Sequence, residues 1–461
     1  MHTSAKRRAL GIAAFATIAG LTLAGCSASG DADEPAEALD PDAEVTITVG
    51  EMPTADQAES LEIFNEQVEA FEELYPNITV KGEETTYDPS TFNALLVGGT
   101  APTTVAIPFT DMQALIERDQ AADITDLVAE SDVLSALNPG LLGAVTKDDR
   151  QYGIVRQAYT MALLYDRALY EQAGLDPDDV PADWEGILEN AKTITEKTGK
   201  TGFIIPTTNN AGGWLLTTMS YSNGSLVQET DGDEVAVTID TDAMKESLQF
   251  LHDVRWEANA AGANFLLGGD DIFNELGGGN VGQTVNGGAS YGNLVLNRGM
   301  AGEDVGIAPL PQSSEGLGAL GGGAIQWFNP KATPNEQAAA LKWTEFRWFN
   351  RYFDEDAAVE WASSQNADGR PVGAPELPIV APEQYDTFLG WIDEYINVDR
   401  DNYTAYLTSE LPVVAEPAIK AQEIYAALDP IAQAVLTDES ADIDKLLADA
   451  QTAVQALVDA G

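Results

Sequence analysis

The amino-acid sequence predicts an α/β fold, and three observations lead there. Val45, Ile47 and Val49 alternate with polar residues, the period of a half-buried strand. Leu61, Phe64, Val68, Phe71 and Tyr75 then recur every three or four residues, as on one face of a helix. Pro76 stops that helix, and Ile78 and Val80 resume the alternation. Strand, helix and strand within about 40 residues mark a βαβ unit, hence a parallel or mixed sheet.

Later segments repeat this punctuation. Residues 152–170 are an apolar run that turns helical. Asp183 is placed to cap a helix over 183–197, because its carboxylate can accept from the first unpaired amides. A helix is expected over 240–259, with Met244, Leu248, Leu251 and Arg255 on one side. An aromatic-rich helix is expected over 334–353. A last helix carries Ile443, Leu446, Leu447, Ala450, Val454 and Leu457. No tandem repeat is present.

Composition narrows the class. The 461 residues hold 75 Asp and Glu against 23 Lys and Arg, a formal charge of −52. At about 150 residues per domain, two or three domains are expected. With 44% apolar and 21% charged residues, the chain is globular and unlike a disordered acidic tail. Its mean field repels polyanions, which argues against nucleic acid and anionic lipid as partners. A neutral ligand is the easiest to reconcile with this charge.

The N-terminus reads as an address. Lys6, Arg7 and Arg8 precede seventeen apolar and small residues, then Cys26, the only cysteine. This is the pattern of a secretory signal, with an apolar run short for a membrane span. Leu23-Ala24-Gly25-Cys26 resembles the lipobox of bacterial lipoproteins. That resemblance implies removal of residues 1–25, a diacylglycerol on Cys26, and a body outside the cytoplasm held to the membrane by lipid alone. Residues 26–43 are small, acidic and Pro-containing, which suits a flexible tether. A single lipidated cysteine leaves no intrachain disulfide.

Much chemistry lacks its residues. The only histidines are His2 and His252, and His252 lies mid-helix in SLQFLHDVRWE, which suits a structural role. No HExxH or Cys/His cluster offers a metal site, and no cofactor is expected. Gly316-x-Gly318-x-x-Gly321 follows a polar loop and not a strand, so it is weak as a dinucleotide fingerprint. Gly199-Lys200-Thr201 lacks the upstream glycine of a phosphate loop, where Ile194 stands. Asp399-x-Asp401 with Glu410 has the end spacing of a calcium loop, but Tyr403 and Thr404 replace the inner ligand and the turn glycine. A glycosidase needs only two carboxylates, and that alternative stays open.

From Val45 onward, seven segments in order resemble the family 1 extracellular solute-binding proteins of bacterial ABC sugar importers, of the maltose-binding type. They are VTITV with the helix ending EAFEELYPNITVKGEE, FNALLVGGTAPTTVAI, YGIVRQAYTMALLYDRALYEQAGLD, PADWEGILENAKTIT, FNELGGGNVGQTVNGG, VGIAPLP with the glycines after it, and the Ala-rich helix 336–349. The chain departs from the family pattern at Thr103, at Tyr165-Asp166-Arg167, at Gly277-Gly278-Gly279 and at Val281-Gly282. The resemblance implies a type II periplasmic-binding-protein fold: two α/β lobes joined by crossing segments, with a ligand cleft between them that closes by hinge bending. The lobes are expected at 44–156 plus 322–356 and at 157–321 plus 357–461. Crossings are expected near 155–160, 317–322 and 355–365.

The same resemblance implies a non-enzymatic monomer that binds a carbohydrate and passes it to ABC permease subunits. A sugar needs aromatic platforms for its C–H faces and paired polar groups for its hydroxyls. On that ground the expected ligand residues are Thr110, Asp111, Tyr159, Trp214, Tyr291, Gly322, Gly323, Trp327 and Arg370. Trp184 matches a structural tryptophan of the family, and Trp343 and Trp348 suit core and rim. The rivals are a secreted glycoside hydrolase, a binding protein for a non-sugar solute, and a surface scaffold.

Overall fold

The computed structural model describes residues 43–231 and 234–459. Cys26, the signal segment and nearly all of the tether lie outside the described residues.

The opening βαβ unit forms as its pattern requires. Strand β1 (Val45–Val49) and strand β2 (Ile78–Gly82) pair in parallel, Val45 opposite Ile78. The helix Ala58–Leu74 between them turns Phe64 and Phe71 inward and ends one residue before Pro76 joins the connection to β2. Strand β3 (Thr104–Pro108) adds in parallel on the other side of β1.

A short ribbon, β4 (Thr146–Lys147) with β5 (Arg150–Gln151), leads into β6 (Gly153–Asp166). Then come β7 (Thr201–Phe203), the ribbon β8 (Gln228–Asp231) with β9 (Glu234–Val237), β10 (Val281–Gly287), β11 (Val305–Pro309), β12 (Ala319–Phe328) and β13 (Val413–Ala415). Nine strands make one mixed sheet in the order β2-β1-β3-β12-β6-β10-β7, with β11 on β6 and β13 on β12.

Two long strands join the halves of this sheet. The start of β6 pairs with β12 and its end with β10 and β11. The end of β12 pairs with β3, and its start with β13. Apolar side chains gather on either side of this junction. A first core holds Ile47, Phe71, Ile107, Trp327, Trp343 and Phe349; a second holds Leu163, Ile187, Leu216, Leu248, Leu428 and Val454. A smaller core holds Leu164, Tyr291, Leu294 and Tyr403. The fold is the two-lobe type II arrangement.

The run Gly321-Gly322-Gly323 is strand and not loop. A Cβ on Gly321 would stand 2.4 Å from Val413 Cγ1, one on Gly322 2.7 Å from Tyr159 Oη, and one on Gly323 2.0 Å from Gln157 O. Glycine there lets β12 pass between neighbours on both sides.

The expected helices form. Asp183 caps Trp184–Thr198 by accepting from Gly186 N at 2.8 Å. The 240–259 pattern becomes a helix, Asp242–His252, that widens into a π-type turn at Asp253–Glu257. His252 Nδ1 meets its neighbour Asp253 at 3.2 Å, and Nε2 meets Glu439 O at 3.1 Å, a structural placement. The third expected crossing lies elsewhere. Residues 355–365 belong to a helix, Glu355–Ala367, whose Ala358 and Ala362 pack in the first core, and so do Val372, Ile379, Phe388 and Ile392. The sequence expectation places residues beyond 356 with the second lobe. Apart from the partly buried Ala374, packing with the smaller core resumes at Val398. An alanine pair on one helix face gives no local sign of which core it enters.

Candidate functional site

A cleft of about 840 Å³ opens beside the paired stretch of β6 and β12. One wall stands at the carboxyl ends of parallel strands, where amides and turns converge in open α/β sheets. Glu51 follows β1, Tyr87 follows β2, and Thr110 and Asp111 open the helix Phe109–Glu117 after β3. The opposite wall carries Asn209, Asn210 and Trp214 at the start of the helix Ala211–Asn223, Glu416 just past β13, and Gln422 and Tyr425 on the helix Ala421–Thr437. The floor is Arg156, Gln157, Tyr159, Gly323 and Ala324.

Arg156 owes its position to an irregularity. Gln157 pairs with Ala324 and Val155 with Ile325, so Arg156 is the extra residue of a bulge. Its Nη2 donates to Glu51 Oε1 at 2.9 Å and its Nη1 to Gln326 Oε1 at 3.2 Å, while the guanidinium lies 4.3 Å from the Trp348 ring centroid. Glu51 is held in turn in the left-handed region at φ 63°. Its other oxygen accepts from Ala106 N at 3.3 Å. Glutamate in that conformation costs about 1–2 kcal/mol. The contacts around it keep it there.

Trp214 Nε1 donates to Glu416 Oε1 at 3.0 Å, which fixes the indole plane at the cleft edge. Beneath it, Asp429 accepts from Asn210 N and Gly213 N, both at 2.8 Å, and so caps the helix start. Gly213 permits a close helix crossing, since a Cβ there would stand 2.1 Å from Tyr425 O. Tyr425 is 1% exposed, and its Oη is buried with no hydrogen-bond partner among the described residues.

Burial dominates the electrostatics. It raises the Glu416 carboxyl to about 6, against the Trp214 hydrogen bond and with help from the charge of Asp111. It raises Asp111 too, opposed by the Thr110 hydroxyl and then by Arg118. Tyr159 is pushed up to about 12 by burial and then by Glu416. Behind the floor, burial and then the Arg156 charge lower Arg347 to about 10.

Of the residues expected from sequence, Thr110, Asp111, Tyr159, Trp214 and Gly323 line this cleft. The others lie elsewhere. Tyr291 is 5% exposed and packs edge-on against Tyr403 at 5.7 Å, because the turn Gly288–Ser290 after β10 swings it into the smaller core. Trp327 is fully buried in the first core against Phe92 at 5.0 Å, with Nε1 donating to Gln120 O at 2.7 Å. Gly322 sits under the Tyr159 ring and makes room for it. Arg370 is exposed in the connection after the helix Glu355–Ala367. Trp184 is buried, with Nε1 on Ser222 Oγ at 3.0 Å.

Sequence reading missed Glu51, Tyr87, Arg156, Gln157, Asn209, Asn210, Glu416, Gln422 and Tyr425. Glu51 could have been found from its place just past a strand of the parallel unit. Glu416 and Tyr425 carry no local signal, since only tertiary folding brings residues 416–425 to this cleft. Among the described residues, no group of three or more His, Cys, Asp or Glu is arranged to hold a metal ion, and no helix is long and apolar enough to cross a membrane.

Comparison with known proteins agrees with this architecture. A family model described as bacterial extracellular solute-binding protein matches residues 54–346. A probable amino-acid ABC transporter periplasmic-binding protein of Sinorhizobium fredii is 26% identical over 157 residues, 33% of this chain and 34% of that one. An arabinooligosaccharide-binding protein of Halalkalibacterium halodurans is 25% identical over 200 residues, 42% of this chain and 43% of that one. The matches thus span less than half the length of either relative. Among solved structures, the cyclic alpha-maltosyl-1,6-maltose binding protein of Arthrobacter globiformis superposes with a TM-score of 0.66 at 20% identity, covering 90% of this chain and 99% of that one. At that identity the likeness concerns the fold.

Proposed function

The chain belongs to the bacterial extracellular solute-binding protein family, and from that premise we propose that it captures a sugar or oligosaccharide in its cleft and delivers it to the permease subunits of an ABC importer. The observation that carries the sugar reading is that Trp214 and Tyr159 line one cleft together with amides and acids on both walls. Aromatic faces suit the C–H surface of a pyranose, and Gln157, Asn209, Asn210 and Gln422 suit its hydroxyls. The cleft closes by bending of β6 and β12, and ligand favours the closed state by its extra affinity for it. The lobe division that best fits the cores assigns residues 44–156 and 324–396 to one lobe and 159–320 with 398–459 to the other.

The protein binds without turnover, as a monomer. It is held outside the cell membrane by lipid on Cys26, with residues 26–43 as tether. Calorimetric titration with a panel of mono- and oligosaccharides tests the sugar reading. Saturable binding of at least one sugar, lost in Trp214→Ala, is expected. Folded protein that binds none of a broad panel would sink it. Hydrolysis of a chromogenic glycoside, lost on substitution of Glu416 or Asp111, would favour an enzyme.

A further inference from the structure

The charge of the cleft is unbalanced in a way that selects a ligand. Four charged side chains line it: Glu51, Asp111 and Glu416 against Arg156. Arg156 and Glu51 neutralise each other through their ion pair at 2.9 Å, and Gln326 and Trp348 occupy the rest of that guanidinium. Two carboxylates remain, and among the described residues neither forms an ion pair. Asp111 bonds only the Thr110 hydroxyl, and Glu416 only the Trp214 indole. Arg118, which acts on Asp111 from two turns along the helix, is exposed and screened. The two acids belong to opposite walls, and their charges act on each other. Closing the cleft on a neutral solute brings two anions together as water leaves, which opposes closure.

A second observation points to the same place. Tyr425 belongs to this wall, its hydroxyl is buried without a partner among the described residues, and the Glu416 charge acts on it. A buried hydroxyl left unpaired is disfavoured until something supplies its bond. An ammonium group has three N–H donors and no acceptor. Asp111 and Glu416 offer it acceptors from opposite walls beside the buried Tyr425 hydroxyl, and the rings of Tyr159 and Trp214 in the same lining supply cation–π attraction.

We propose that the cleft takes an aminated saccharide, with its protonated amine between Asp111 and Glu416 and its sugar faces against Trp214 and Tyr159. This rests on the sugar-binding reading and names the class of sugar.

The test titrates the whole protein at neutral pH with matched probes. Glucose, galactose and mannose are paired with glucosamine, galactosamine and mannosamine, and cellotriose with the fully deacetylated chitosan trimer and with its N-acetylated form. Spermidine serves as an amine without a sugar. The expected result is that an aminated member binds at least about 10-fold tighter than its neutral and N-acetylated counterparts. In Asp111→Asn and Glu416→Gln, with folding checked by circular dichroism, that ratio should collapse toward one. A neutral sugar that binds as tightly as its amine, or a ratio unmoved by both substitutions, overturns the proposal and leaves the sugar reading standing. Spermidine bound with no saccharide bound, or no probe bound at all, overturns both.

Discussion

The indole of Trp214 is tied to the carboxylate of Glu416 by one hydrogen bond of 3.0 Å between residues two hundred positions apart. The bond sets the platform and also decides what the buried acid does. Glutamine at 416 keeps an acceptor for the indole but removes the charge.

Glu416→Gln should therefore reveal the proton. The folded carboxyl sits at about 6 against an ordinary 4.5, so the folded state holds its proton more tightly than the unfolded chain does. The stability this group contributes is complete below pH 4.5 and is lost as pH rises to about 6. Relative to wild type, Glu416→Gln should gain about 2 kcal/mol between those limits and stay level above them. Urea unfolding of both proteins from pH 4 to 8 measures the difference; parallel curves would mean the carboxyl is well solvated.

Two tryptophans should separate binding from folding. Trp327→Ala empties a fully buried site and should cost about 3–5 kcal/mol of stability. Trp214→Ala, at a half-buried cleft edge, should cost less stability and lower saccharide affinity at least about 10-fold. Chemical denaturation and calorimetry on the same two proteins decide it. The reverse ranking would put Trp214 in the core.

Gly213→Ala should wedge two helices apart, since its Cβ would stand 2.1 Å from Tyr425 O. A loss of about 1–3 kcal/mol is expected, with weaker ligand binding as Tyr425 shifts. An alanine that leaves both the melting temperature and the dissociation constant unchanged would contradict this packing.

Asp429 should show a graded loss. Asp429→Ala strands the amides of Asn210 and Gly213, at about 1–3 kcal/mol each. Asp429→Asn keeps one acceptor and should lose roughly half as much. Thermal melts of the pair check the order.

What the sequence made legible was local. The alternation at Val45–Val49, the apolar face of Phe64 and Phe71 and the Asp183 cap each depend on neighbours in the chain, and each formed where the pattern placed it. Thr110, Asp111 and Tyr159 came with family segments that also keep their place relative to strand ends. Tyr291 and Trp327 did not reach the cleft, because the direction of a side chain past a turn or along a two-faced strand is set by packing. Glu416 and Tyr425 reach it only through the docking of the helix Ala421–Thr437 on Ala211–Asn223, a contact no periodicity encodes.

The first core draws on residues from Val45 to Ile392. A nascent chain that has exposed only its first 300 residues holds β1, β2 and β3 but lacks Trp327, Trp343 and Phe349 of the same core, where Trp343 packs on Phe64 and Phe71 and Trp327 on Phe92. Neither half of the molecule can finish folding while synthesis is incomplete. The order in which the ribosome delivers the chain thus keeps both cores incomplete until synthesis is nearly finished.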